Sequence, residues 1–372
     1  MLERISNTLG SNIFRPVQSF MGLDLSDLSV KYIQLERKGK NHSVRSFASV
    51  PLAKNSIING EIENPGAVID AIKELMQRGK PKPLNTRSVI CSIPEIKAFL
   101  RIIDIVKMTD KEMREAIPWE LEENIPLAID QVYYDCQTLP TRIQSKDESR
   151  QNVLIVAVAK KVIDSFIHVV EGAGLEVMGM EIESIAQSRC LLSEGASNEH
   201  CTLILDIGDR RTSLFFSVGN IIVFTSSIPL SSQMLTDAFA SHFGVSQKEA
   251  EKIKIEYGIG SCVKKDPHFL AAEPLLENLF SQIRHSMDFV IQSLGYTKII
   301  NEILLCGGGA NTKGLPLYLS KKIGIPVSMG NPWMNITLGK DLPTELQKSS
   351  IEYSTAIGLA LQSMYSKYEN NT

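Results

Sequence analysis

The sequence predicts an α/β protein of two similar halves, and three observations carry that expectation. Strand-like apolar runs are mixed with helical stretches along all 372 residues, too long a chain for one ordinary core. Hairpin-like segments open both halves, which argues against a uniform parallel array. The two openings also echo one another half a chain apart. Gly22-Leu23-Asp24-Leu25-Ser26-Asp27-Leu28-Ser29-Val30-Lys31 begins the first half, and Leu205-Asp206-Ile207-Gly208-Asp209-Arg210-Arg211-Thr212-Ser213-Leu214 begins the second.

Residues 1–20 read as a separate amphipathic piece, with Ile5, Leu9, Ile13 and Val17 on one helical face. Its only cations, Arg4 and Arg15, are too few for a membrane-surface helix, so packing on its own protein is expected. Residues 22–36 and 43–51 form a hairpin around Lys38-Gly39-Lys40-Asn41. A helix over 65–78 ends at Gly79, and 87–94 is a short buried strand. Thr109 and Glu112 make a capping box that starts a helix running to about 124. Strands at 132–139 and 152–159 flank a polar loop, followed by a helix at 160–172 and a strand at 175–180.

In the second half, strands over 201–216 and 221–229 hinge at Gly219-Asn220. Helices follow at 233–243, 247–257 and 274–294, the second opened by another capping box, Ser246 to Glu249. A strand at 302–306 runs into glycines, then come a helix at 314–323 and a final helical stretch at 353–365. The expected division is 1–20, a first domain over 21–200 with an inserted subdomain at about 86–180, and a second domain over 201–372.

Composition narrows the function. Hydrophobic residues make up 43% and charged residues 22%, the balance of a globular protein, and a net charge of −3 gives no pointer to nucleic acid. The longest clean apolar run, Val153 to Ala159, is far short of a membrane span, and no signal-peptide core is visible near the start. The expectation is a cytoplasmic chain whose association with membrane is indirect. Cys91, Cys136, Cys190, Cys201, Cys262 and Cys306 show no C-x-x-C pair and no histidine at zinc spacing, so reduced, mostly buried thiols are expected.

The repeated turns have a chemical use. A tight hairpin of small residues points backbone N–H groups at phosphate oxygens. Ser26, Ser29 and Thr212 add hydroxyl donors, and Lys31 adds a point charge. Asp24 and Asp206, facing one another, can hold Mg²⁺ directly or through water. Taken singly, either turn is an ordinary solvated hairpin. The repetition at half-chain spacing favours a phosphate cleft. A third element, Gly307-Gly308-Gly309 after the strand at 302–306, lets backbone approach a ligand closely and suits the nucleoside side.

These elements, in this order, resemble the actin, Hsp70 and sugar-kinase superfamily, whose members share an actin-like ATPase fold. On that resemblance Asp24 and Lys31 belong to the first phosphate loop. Asp206, Gly208, Asp209 and Thr212 belong to the second, and Gly307, Gly308 and Gly309 to the adenosine loop. Ala250-Glu251-Lys252-Ile253-Lys254 resembles a helix lining the nucleoside pocket, which implies Glu251 at the ribose and Lys254 at the base. Glu183 stands where a water-orienting residue is often found, or is simply an acid at a helix start.

Over nearly the whole chain the likeness is to the PilM family of type IV pilus assembly proteins, related to FtsA. It is carried by residues 21–35, 203–214 and 304–319 and by Ile117-Pro118-Trp119-Glu120-Leu121-Glu122-Glu123-Asn124-Ile125-Pro126-Leu127. The family implies ATP with Mg²⁺, a place at the cytoplasmic face of the inner membrane, and a grip on the cytoplasmic tail of a PilN-like membrane protein among other assembly components. Trp119 lies off the apolar stripe Ile117, Leu121 and Ile125, and is the expected anchor near that tail. Ser26, Leu28 and Arg210 replace small residues of the phosphate loops, so slow or absent hydrolysis is expected. An FtsA-like membrane tether is the alternative, but the polar ending Lys367-Tyr368-Glu369-Asn370-Asn371-Thr372 lacks its basic amphipathic tail. A small-molecule kinase would need a catalytic base and a polar substrate pocket, for which there is no signature.

Overall fold

A computed structural model describes residues 20–38, 41–125, 127–139, 147, 149–197, 200–261, 265–292, 300–338 and 342–365. The amphipathic segment up to residue 19, the centre of the first hairpin turn, most of the polar loop at 141–150, Cys262 and the ending at 366–372 lie outside them.

The first half runs β1 (Met21–Leu25), β2 (Ser29–Lys38), β3 (Asn41–Pro51), a two-residue hairpin of β4 (Ile57–Ile58) and β5 (Glu61–Ile62), α1 (Pro65–Gln77), β6 (Lys80–Pro81) and β7 (Ser88–Ile93). β8 (Ala98–Val106), α2 (Asp110–Asn124), β9 (Val132–Thr138) and β10 (Arg150–Ala159) come next, then α3 (Lys160–Gly172), β11 (Glu176–Ile182) and α4 (Glu183–Leu191). The second half holds β12 (Cys201–Ile207), β13 (Thr212–Val218), β14 (Ile221–Ile228), α5 (Ser232–Phe243), α6 (Gln247–Tyr257) and α7 (Pro267–Gln292). It ends with β15 (Ile300–Cys306), α8 (Leu315–Ile323), β16 (Val327–Met329), α9 (Thr344–Ser349) and α10 (Ser354–Tyr365).

The echo between the halves is an echo of topology. One sheet has the order β11-β7-β1-β2-β3-β6 and the other β14-β13-β12-β15-β16. In each, an antiparallel meander begins at the aspartate strand, β1 or β12, and a later strand, β7 or β15, joins it in parallel. β1, β7, β12 and β13 are buried on both faces because helices or neighbouring layers cover both. Both capping boxes form, Thr109 with Glu112 and Ser246 with Glu249.

The strand–turn–strand expected at each aspartate forms, with turns at Ser26–Leu28 and Gly208–Arg211, while two other readings change. β8 is absent from the sequence reading because Arg101 and Asp104 break its apolar alternation; as an edge strand it tolerates them. α7 begins at Pro267, seven residues before Pro274, which it carries inside the helix.

The structure also redraws the inserted subdomain. β7 and β11, both inside the expected 86–180, belong to the six-stranded sheet, so the separate unit is the sheet β8-β10-β9 with α2. Ile117, Leu121 and Ile125 bury against Ile105, Val153 and Ile155 of that sheet, as their spacing implied. The final helix corrects the other boundary. Although it ends the chain, Ala356, Ile357, Ala360 and Leu361 join the core of the first half. Of the described cysteines, Cys91, Cys190, Cys201 and Cys306 are buried and Cys136 is half-buried.

Candidate functional site

The two aspartate turns face one another across a cleft of about 350 Å³. On the first wall, Asp24 stands opposite Lys31 in the β1–β2 register. Ser92 at the end of β7 donates its hydroxyl to Asp24 Oδ1 (3.2 Å) and accepts the Leu25 N–H (3.0 Å), which holds the end of β1 in place. The turn is closed by Ser26, whose N–H and hydroxyl both donate to Ser29 O (3.0 and 2.9 Å). Lys31 Nζ donates to Ser29 Oγ (2.9 Å), so its charge lies over the turn.

On the second wall, Asp206 near the end of β12 accepts a hydrogen bond from the Gln187 side-chain amide at 2.5 Å, and the same amide reaches Thr355 Oγ1 at 2.8 Å. Gly208 N–H donates to Arg211 O (3.0 Å) to close this turn. Gly307, with φ +80°, brings the adenosine-loop backbone against Asp206: a Cβ there would lie 2.2 Å from Asp206 Oδ1. Only glycine fits that position.

Electrostatics set the character of the cleft. Among the described residues seven carboxylates line it, against three cations, Lys31, Arg210 and Arg211. Burial raises the pKa of Asp24, opposed by Lys31. Burial likewise raises Asp206, opposed by Gln187 and reinforced by the charge of Asp24. Glu183 is pushed well above the ordinary carboxylate range, first by burial and then by Asp24 and Asp206. Among the described residues no group of three or more His, Cys, Asp or Glu could hold a metal ion by itself.

Of the expected site residues, Asp24, Ser26, Ser29, Lys31, Glu183, Asp206, Gly208, Asp209, Gly307 and Gly308 line the cleft. Four do not. Thr212 is buried and donates its hydroxyl to Leu230 O (2.8 Å), because its alternate position on β13 turns it into the core. Gly309 supports the loop from behind, packed on Ile207 and Ser232. Lys254 is buried and donates to Ser232 Oγ (2.7 Å) and Thr236 Oγ1 (2.9 Å), so it ties α6 to the start of α5 rather than facing a base. Glu251, paired with Lys254 at 2.8 Å, accepts from Thr236 Oγ1 and completes that brace. Trp119 stands apart on α2 of the inserted subdomain, 73% exposed.

Gln187, Glu95 and Thr355 went unread. Gln187 had a signal, since it follows Glu183 by one helical turn and shares its face. Glu95 follows an ordinary Ile-Pro step, and Thr355 comes from the far end of the chain; neither carries a local signature.

An antiparallel-meander sheet in each half, two aspartate turns opposed across the cleft and a glycine loop beside them define the actin-like ATPase fold. MreB5 of Spiroplasma citri bound to AMPPNP shares it, with TM-score 0.55 and 16% identity over 95% of this chain and 98% of that one. The chain belongs to the type IV pilus assembly protein PilM family, whose model matches residues 22–364. It is similar to the solved PilM-PilN type IV pilus biogenesis complex, with TM-score 0.79, 26% identity, and coverage of 94% of this chain and 99% of that chain. Cell division protein FtsA of Staphylococcus epidermidis is 23% identical over 52% of this chain and 45% of that protein, so the chain spans about half the length of that relative. FtsA of Borreliella burgdorferi is 22% identical over 84% of this chain and 79% of that protein.

Proposed function

We propose that this chain is a nucleotide-binding switch in type IV pilus assembly, at the cytoplasmic face of the inner membrane, binding Mg-ATP between its halves and holding the cytoplasmic tail of a PilN-like membrane protein. The observation that carries the nucleotide reading is the pair of opposed turns, Asp24–Lys31 and Asp206–Arg211, in one cleft beside the Gly307 loop. Bare ATP would meet an excess of carboxylates there, so a divalent cation is needed to offset them. Asp24 and Asp206 would hold Mg²⁺ through water, and Lys31 would contact phosphate. The magnesium supplies neutralisation of phosphate charge. The fold relative MreB5 was solved with AMPPNP and with ADP, which supports the ligand class.

Hydrolysis is slow or absent in this reading. Ser26, Leu28 and Arg210 enlarge the phosphate turns. Glu183, the candidate for orienting water, has its Oε2 already taken by the Glu95 N–H (3.0 Å). Mg-ATP should raise the melting temperature, through about 2.7 kcal/mol of linkage at a hundredfold excess over Kd. ATP with EDTA should not. A protein whose melting is unmoved by millimolar Mg-ATP does not bind it in this cleft.

The partner reading rests on family membership and on the solved PilM-PilN complex. Among the described residues no helix is long and apolar enough to cross a membrane, so membrane contact falls to the partner. Trp119 projects from α2 beside Glu115 and Glu122 and offers the kind of aromatic anchor that dominates interfaces. Fluorescence anisotropy of a peptide from the neighbouring PilN-like tail should show binding, weakened about tenfold, or 1.4 kcal/mol, in Trp119→Ala. Equal affinity in both proteins would take Trp119 out of the interface. A wild type that ignores the peptide would end the partner assignment.

A further inference from the structure

One turn, Pro94–Lys97, joins β7 of the main sheet to β8 of the inserted subdomain, and it touches the cleft on two sides. On the first side it clasps the start of α4. Glu95 N–H donates to Glu183 Oε2 at 3.0 Å, and Glu95 Oε2 accepts the Ser184 N–H at 3.0 Å. Each glutamate thus receives a backbone N–H from the other's segment. Glu95 is 4% exposed and lines the cleft.

On the second side the turn packs on the β4–β5 hairpin. Lys97 Nζ pairs with Glu61 at 2.5 Å, and a Cβ on Gly60 would lie 2.9 Å from Pro94 Cβ. Both phosphate turns hold that hairpin. Asp27 accepts the N–H groups of Asn59 and Gly60 at 3.1 and 3.0 Å. From the opposite domain, Arg211 Nη2 donates to Asn59 Oδ1 at 2.7 Å. The start of α4 thus touches these four residues directly, both phosphate turns reach them through the β4–β5 hairpin, and the chain leaves them as the edge strand of the inserted subdomain.

We propose that Glu95 is a positioning residue that fixes Glu183 and, through the Pro94–Lys97 turn, makes β8 follow the state of the nucleotide cleft. The inference rests on the nucleotide reading above and adds the route by which the site reaches the inserted subdomain. Nucleotide that draws the two phosphate turns together moves Arg211 and Asp27, hence the hairpin, hence the root of β8. Because coupling between sites is reciprocal, whatever fixes the inserted subdomain alters nucleotide affinity by the same factor.

Hydrogen exchange with Mg-AMPPNP as the probe tests it on the full chain, with nucleotide affinity measured in parallel. In the wild type, amides of Ala98–Val106 should exchange about fivefold or more slowly when the nucleotide is bound. With AMPPNP at saturation by each variant's own measured affinity, Glu95→Ala should lose this response, whereas Glu95→Gln, whose amide oxygen still accepts the Ser184 N–H, should retain it. A response in Glu95→Ala equal to the wild type's, or a glutamine variant that behaves like alanine, overturns the proposal. So does a wild type that binds AMPPNP while β8 stays unchanged. Failure of the wild type to bind AMPPNP at all overturns the nucleotide reading and this one with it. Should the alanine variant not fold, Asn59→Gly tests the same joint, since it cuts the Arg211 contact and glycine accepts the φ of +51°. An undiminished β8 response in that variant overturns the proposal.

Discussion

Asp206→Asn is expected to abolish Mg-nucleotide binding while raising the melting temperature of the ligand-free protein. Asparagine matches aspartate in size and still offers Oδ1 to the Gln187 amide, so the turn keeps its shape. What disappears is one of the two carboxylates proposed to hold magnesium, and a loss of at least about a hundredfold, or 2.7 kcal/mol, is expected in nucleotide affinity. The stability gain follows from the sign of the pKa shift. Burial first, then the charge of Asp24, raises Asp206 above its ordinary 3.8. The folded chain then binds a proton more tightly than the unfolded chain, and stability falls as pH climbs from 3.8 through the raised value. The asparagine variant escapes that loss. Its advantage over wild type should be smallest near pH 3.8 and grow as pH rises, as read by thermal melts across a pH series without nucleotide. A variant that melts below wild type at neutral pH, or that still binds Mg-AMPPNP normally, would contradict the assignment.

That trade shows how the site is built. Asp24, Glu95, Glu183 and Asp206 all have raised pKa values, with burial the largest cause in each. A ligand-free fold with these acids crowded together is less stable than one without them, which is the cost of keeping them ready for a cation. Pairs of this kind read well from sequence when each sits on its own short hairpin. Asp24 and Asp206 were legible because the same strand–turn–strand appears twice, and Gly307 because three consecutive glycines follow a buried strand. Thr212, Glu251 and Lys254 were misplaced for a shared reason. A motif gives the residue type and spacing, but whether a hydroxyl or ammonium faces the cleft depends on packing behind it. Lys254 finds Ser232 and Thr236 before it finds the cleft. Glu95 was invisible because its role needs residues 88 and 89 positions away, Glu183 and Ser184, which only the parallel pairing of β7 with β11 brings near.

The chain ending was misassigned for a related reason, and it sets the last expectation. Gly358→Ala should destabilise the protein more than a typical core substitution. α10 crosses α4 so closely that a Cβ at Gly358 would lie 1.8 Å from Ala186 O and 2.4 Å from its carbonyl carbon. Two residues earlier on the same helix, Gly22 makes a matching approach from β1, where a Cβ would lie 2.1 Å from Ala356 O. The last helix is thus wedged between a strand and a helix at two glycines, and the atoms it would strike are backbone. Overpacking of side chains costs about 1–3 kcal/mol because rotamers can adjust. Here no rotamer is involved, so a cost at or above the upper end, roughly 3 kcal/mol, is expected. For a domain of this size that lowers the melting temperature by roughly 6–12 °C. The effect reaches the site as well. α10 begins with Ser354 and Thr355 at the cleft, and Thr355 shares the Gln187 amide with Asp206. Moving α10 off α4 releases Gln187 and loosens Asp206, so the variant should also bind Mg-AMPPNP more weakly at a temperature where it remains folded. Melting within about 2 °C of wild type would mean that the two helices part at little cost, and that the final helix is not the clamp its glycines imply.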